Sequence, residues 1–278
     1  MLEKVKLLKE KINEADGVLI GAASGMSAAA GYNHYYERSQ EFVRWFSDFE
    51  KKYGYHNSFG GFYHPYRSEQ ERWAYLGRMA ECILNEETGE PYFDLKNLLD
   101  GKAYHILTTN QDGQFFRLFP EEKISAIQGD WRYIQCGHRC HDRLYRSEEI
   151  YAGLNEAIDE NLVIDERLVP RCPQCGAVME PWVRGPVFLE GEKYYEEYRK
   201  VRNFITEHRK GRLLLIELGV GRMTPMFIQE PFWDLTYSIE NAFYITINPR
   251  DAIVPREIEE KSLAIKEDIA AVLKKAVM

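Results

Sequence analysis

The chain has 278 residues, with 36 Lys+Arg against 44 Asp+Glu and a formal charge of −8. Hydrophobic residues make up 45% and charged residues 29%, which excludes a disordered chain and suits two domains or one large domain with insertions. The acidic balance argues against non-specific nucleic-acid binding, which needs clustered Lys and Arg, and no apolar run approaches the ~20 residues of a membrane span.

In chain order, Val5, Leu8 and Ile12 recur at intervals of three and four, predicting an amphipathic helix over residues 1–15. This opening segment has no continuous apolar stretch or small-residue cleavage site. It does not read as a secretory signal, and the expected location is cytoplasmic. The apolar run 17–23 predicts a buried strand entering a tight turn, and 24–31 a small-residue helix with Ser24 or Ser27 as its N-cap. Residues 32–100 are rich in aromatic side chains and read as mostly helical, with Gly60-Gly61 as a break. Further strands are expected at 103–110, 123–127, 213–219 and 243–248, the second of these ended by Gln128-Gly129-Asp130. Helical patterns between several of them suit a parallel sheet with crossover helices. Residues 131–190 break the alternation, carry four of the five cysteines, and read as an inserted small domain. The mixed charges of 190–212 read as a solvated helix face.

The strongest chemical signal is the cysteine set. Cys136 and Cys140 form a C-x3-C pair, and Cys172 and Cys175 a C-x2-C knuckle whose Pro173 and Gly176 favour a tight turn. Two such pairs can present four thiolates tetrahedrally to Zn²⁺ and leave no position open for water, so the site would be structural. The competing reading is four unliganded cysteines. A second signal is the Gly/Ala-rich turn from Gly21 to Gly31, whose backbone N–H groups could approach a pyrophosphate at a helix N-terminus. The same residues suit a helix packed closely on a sheet. Thr108-Thr109-Asn110-Gln111-Asp112-Gly113 is a polar cluster at a strand end, where parallel sheets bind ligands, although the local sequence taken alone favours an Asx-turn leaving the strand. Gly219-Val220-Gly221 and Asn248-Pro249-Arg250-Asp251 also follow apolar runs. The joint pattern is five strands ending in small or polar residues, with a four-cysteine insert between the third and fourth.

Taken together, these motifs resemble the sirtuin family in order through most of the chain. Residues 21–31, including Ala22, Ala23, Ser24 and Ser27, resemble that family's first nucleotide loop with one extra residue. Thr108-Thr109-Asn110-Gln111-Asp112 resembles its T-Q-N-x-D motif, Gly219-Val220-Gly221 its G-T-S loop, and Ile247-Asn248 its I-N pair. The departures are Tyr32-Asn33-His34-Tyr35-Tyr36 in place of I-P-D-F-R, the longer first cysteine pair, and Gln128 where the family has histidine. They resemble the macrodomain-linked microbial class, whose members act as protein ADP-ribosyltransferases. The resemblance implies an α/β fold. Its Rossmann-like parallel sheet would span 1–130 and 191–278 with a helical insertion at 32–100, and a small zinc-ribbon domain would span 131–190. It implies NAD as cofactor, structural zinc on Cys136, Cys140, Cys172 and Cys175, and NAD contacts from Ala22, Ala23, Ser24, Ser27, Tyr35, Asn110, Gln111, Asp112, Gln128, Gly219, Val220, Gly221 and Asn248.

Catalysis would fall to Asn110, Asp112 and Gln128. Asp112 would accept from the nicotinamide carboxamide, and Asn110 would bind the ribose hydroxyls or an ordered water. An amide cannot abstract a proton, so Gln128 could hydrogen-bond but not serve as the base that deacylation requires. Transfer of ADP-ribose to a protein, in that class a lipoyl-carrier protein of the glycine-cleavage type, is the expected outcome, with a macrodomain ADP-ribosyl hydrolase as a second partner. The alternatives are a lysine deacylase using His34 or His105 as base, and a non-catalytic NAD or ADP-ribose sensor.

Overall fold

The computed structural model describes residues 2–278. Helix α1 (Leu2–Glu14) leads into strand β1 (Gly17–Ala22) and the short helix α2 (Ser24–Ala29). Four helices follow, α3 (Gln40–Tyr53), α4 (Ser58–Phe62), α5 (Glu69–Asn85) and α6 (Glu90–Leu98), and the chain then enters β2 (Tyr104–Thr108), α7 (Phe115–Leu118) and β3 (Ile124–Ala126). The cysteine segment contains β4 (Gly129–Cys136), β5 (Tyr145–Arg146), α8 (Glu148–Tyr151) and β6 (Met179–Val183). The last stretch is α9 (Glu192–His208), β7 (Leu213–Leu218), α10 (Gln229–Ser238), β8 (Ala242–Ile247), β9 (Ser262–Ile265) and α11 (Ile269–Val277).

Six parallel strands form one sheet in the order β3-β2-β1-β7-β8-β9, and β5-β4-β6 form a separate three-stranded antiparallel sheet. The large sheet is the Rossmann-like arrangement expected. Period-2 alternation explains its two covered faces. Val18, Ile20, Leu214 and Ile216 join a core with Val5, Leu8 and Ile12 of α1 and Ile269, Val272 and Leu273 of α11. Leu19, Leu213 and Leu215 point the other way, toward Val201 of α9 and Phe232 of α10.

A third core has a different composition. Phe42, Phe46 and Phe49 of α3 and Trp73, Met79 and Ile83 of α5 pack with Trp131, Ile134, Tyr151, Cys172 and Met179 of the cysteine segment. Helices α3 and α5 therefore share their interior with the small sheet, whereas α6 packs through Tyr92 and Leu95 into the core of the parallel one. No helix among the described residues is long and apolar enough to cross a membrane.

Several local expectations are corrected. The parallel sheet has a sixth strand, β9, beyond the five that the sequence predicts. Gly129 and Asp130 do not end β3 but open β4, where Asp130 is buried and accepts from the Arg132 backbone N–H at 2.8 Å and its Nε at 2.8 Å. Gly60-Gly61 lies inside α4 instead of breaking a helix. The N-cap of α2 is Ala23, whose methyl side chain cannot cap; Ser24 is the first helical residue, and Ser27 lies inside the helix and donates to Asp112. The charged face of α9 is not wholly solvated: Glu197 is buried, accepts from the Ala126 N–H at 3.2 Å, and is paired with Lys193 and Lys200.

Candidate active site

Strand order in the large sheet reverses between β1 and β7, since β2 and β3 extend to one side and β8 and β9 to the other. Such a switch point opens a crevice at the carboxyl ends of the strands. The loops leaving β1 and β7 meet there. Ala23 N–H donates to the Leu218 carbonyl and Gly25 N–H to the Gly219 carbonyl, both at 3.0 Å. A Cβ on Gly25 would lie 2.6 Å from the Gly219 Cα, and Gly219 itself has φ +68°. Only glycine at both positions allows the two backbones to touch.

A cleft enclosing about 1070 Å³, its open mouth included, extends from this junction toward the aromatic helices. Ala23, Ser24, Ser27, Tyr35, Asn110, Gln111, Asp112 and Gln128 all line it, so the fold gathers residues from four separated segments. Thr108 Oγ1 donates to the Ala22 carbonyl and Asn110 Nδ2 to the Ala23 carbonyl, each at 3.0 Å, which ties the loop after β2 to the loop after β1. Asp112 accepts from Ser27 Oγ at 2.5 Å, from the Gln114 N–H at 3.1 Å and from Tyr92 OH at 3.4 Å. Burial raises its carboxyl above the ordinary carboxylate value, and these donors oppose the rise. The Gln128 carbonyl accepts from Gln111 Nε2 at 3.2 Å and from the Arg184 N–H at 2.8 Å. Its side-chain amide faces the cleft with no protein hydrogen-bond partner among the described residues.

Five predicted contacts stand outside the cleft lining. Ala22, Gly219, Val220, Gly221 and Asn248 belong to the junction behind it. Asn248 Nδ2 donates to the Val220 carbonyl at 2.9 Å, and its Oδ1 accepts from Arg250 and Asp251 N–H, so this side chain clamps the loop after β7. Lining residues absent from the expected contacts include Tyr32, Ile83, Glu86, Trp131 and Thr224, and His34, expected only as the base of the alternative deacylase reading, lines the cleft as well. Glu86 ends α5 with no local motif to mark it, and only the packing of that helix brings it to the cleft. His105 does not line the cleft. It is buried in β2 against Ser125 Oγ at 2.8 Å, and burial pushes its imidazole down to about 4, leaving it a neutral core residue.

The four cysteines converge in the small sheet. Their sulfurs all lie within 4.8 Å of one another, with Cys136–Cys175 at 3.6 Å and Cys140–Cys172 at 3.7 Å. Tetrahedral coordination at a Zn–S distance of ~2.3 Å puts neighbouring sulfurs about 3.8 Å apart. The donor set and its spacing fit a structural zinc ion, and no fourth position is left for catalysis.

The sheet order, the crevice and the four-thiolate module define a sirtuin-type fold. Solved structures agree: Sir2Tm bound to a propionylated peptide superposes with a TM-score of 0.62 over 98% of this chain and 96% of that one at 17% identity. A Sir2 homologue–NAD complex gives 0.62 over 98% and 92% at 14% identity. No protein-family model matches the chain. A protein ADP-ribosyltransferase of Staphylococcus aureus is 33% identical over 275 residues, 98% of this chain and 86% of that protein. A probable bifunctional ADP-ribose hydrolase/ADP-ribosyltransferase of Fusarium oxysporum f. sp. cubense is 28% identical over 273 residues, 94% of this chain and 45% of that longer protein. The chain belongs to the sirtuin-type, NAD-dependent protein ADP-ribosyltransferases.

Proposed function

We propose that the cleft carries out ADP-ribose transfer through Asn110, Asp112 and Gln128, onto a lipoyl-carrier protein of the glycine-cleavage type. In this reading NAD is held by the remaining expected contacts, from Ala22, Ala23, Ser24, Ser27 and Tyr35 to Gln111, Gly219, Val220, Gly221 and Asn248. Residues 1–130 and 191–278 form the NAD-binding unit and 131–190 the zinc-binding unit. When bound, NAD supplies an activated C1′ and a nicotinamide leaving group. Asp112 accepts a hydrogen bond from the carboxamide and Asn110 orients the ribose hydroxyls. The Gly25–Gly219 contact, which a Cβ on either glycine would break, holds the loops after β1 and β7 together behind the cleft.

The observation that carries the reading is an amide in the cleft at position 128. A positioned general base contributes ~10²–10⁴-fold, and an amide supplies none of it. Attack at C1′ survives that loss because it needs no base on the sugar; removal of an acyl group from the ribose does not. The reading is supported by the relative in which ADP-ribose hydrolase and ADP-ribosyltransferase are joined in one name, which also motivates a macrodomain hydrolase as partner. Incubation with NAD labelled on its ADP-ribose half and a purified lipoylated carrier is the test. Label is expected on the carrier. Removal of acyl groups from lysine peptides at the rate of ordinary sirtuins, with no labelled protein, would overturn the reading.

A further inference from the structure

If Gln128 cannot take a proton, the acceptor's proton must go elsewhere, and the cleft contains one histidine among the described residues that line it. His34 is buried, with Nδ1 at 2.7 Å from Ser58 Oγ. Ser58 is fully buried, and its hydroxyl donates to the His34 carbonyl at 2.7 Å. A serine hydroxyl has one hydrogen. With that hydrogen on the carbonyl, Ser58 Oγ accepts from His34, so Nδ1 bears the imidazole proton and Nε2 bears the lone pair. Nε2 lies 3.8 Å from Glu86 Oε2, whose carboxylate also lines the cleft. The Glu86 segment is itself pinned, because Arg117 donates to the Glu86 carbonyl and Tyr32 OH to the Glu87 carbonyl. A buried serine thus fixes the tautomer and a carboxylate waits beside the free nitrogen, the arrangement that lets an imidazole accept a proton and stabilises the cation formed.

We propose that His34 is the proton acceptor for the nucleophile that receives ADP-ribose, with Glu86 stabilising the resulting imidazolium. The step rests on the transfer reading above. The acceptor heteroatom bonds to C1′ and the C1′–N bond to nicotinamide breaks. Nicotinamide leaves neutral with that electron pair, and the acceptor's proton passes to His34 Nε2 and then to solvent. Of the other cleft carboxylates, Asp112 is already engaged by Ser27 and the Gln114 N–H, and Glu37 is solvent-exposed, outside the buried pocket that holds the His34 ring. The proposal defines the acceptor as a group that arrives protonated in the cleft.

Two measurements test it. In a long-range ¹H–¹⁵N spectrum of histidine-labelled protein, His34 is expected as the Nδ1–H tautomer, shifting toward a mixture in Ser58→Ala; an Nε2–H tautomer in the unaltered protein overturns the proposal. In His34→Asn, whose amide can still donate to Ser58, label transfer from NAD to a lipoylated carrier is expected to fall by ~10²-fold or more, while NAD affinity by calorimetry changes far less. Added imidazole should restore rate to His34→Ala, and more basic methylimidazoles should restore more, which a purely structural role would not produce. Equal transfer by the unaltered protein and His34→Asn overturns the role of His34 and leaves the transfer reading intact. Nicotinamide release with no labelled carrier overturns the reading, and His34 is then tested on hydrolysis, where water is the protic acceptor. No nicotinamide release at all overturns both.

Discussion

At the scale of single residues, the cleft separates side chains that hold architecture from those free to meet a ligand. Asn110 Nδ2 joins two loops through the Ala23 carbonyl, whereas the Gln128 amide makes no protein hydrogen bond among the described residues. Asn110→Ala should therefore lower transfer by about 100-fold, the scale on which misplaced reacting groups lose rate, and Gln128→Ala should lower it less. Single-turnover kinetics on both variants checks the ranking, and the reverse order would count against these roles. Glu217 offers a prediction about stability. It is buried in β7, accepts from Gln229, Tyr244 and Thr246, and desolvation raises its carboxyl from 4.5 to about 7. Between those values the folded chain holds more of this proton than the unfolded chain, so this group's stabilisation is full below about pH 4.5 and falls as pH rises through about 7. Glu217→Gln should flatten that slope in denaturant titrations across this range.

At the scale of elements, the strands that could be read from the sequence are those with unbroken apolar runs, β1, β2, β7 and β8, each buried along most of its length. Strand β9 has four residues, of which only Ile265 is buried, and this leaves no pattern to read. Strand β4 opens with Gly129-Asp130, which has turn chemistry; the ion pair with Arg132 that buries Asp130 depends on the folded strand. The cleft was legible in the same uneven way. Motif residues at strand ends were visible, whereas Glu86 and Ser58 reach His34 only through the packing of α5 and α4. The contact between the loops after β1 and β7 carries the sharpest prediction at this scale. Gly25→Ala forces a methyl into the Gly219 backbone at 2.6 Å and should destabilise by about 1–3 kcal/mol while abolishing NAD binding, as melting and calorimetry would show.

At the scale of the whole molecule, the four-thiolate cluster sits in the small sheet, yet that sheet shares one interior with α3 and α5. The protein as purified should hold one zinc ion per chain by elemental analysis. Cys172→Ser should lose it, because Cys172 is buried and its sulfur, 3.7 Å from that of Cys140, is one of the four that converge. The parallel sheet has its own cores on both faces and makes no use of those sulfurs.

That partition of the interior ties the metal to the catalytic chemistry by an indirect route. Helix α5 carries Met79, Ile83 and its last neighbour Glu86 to the cleft, and it is held there by the same apolar cluster that encloses Cys136 and Cys172. Chelation should therefore speed amide deuteration along α5 first, while β1 and β7 stay protected. An enzyme stripped of its ion should keep the crevice at the strand ends but lose the wall that faces it.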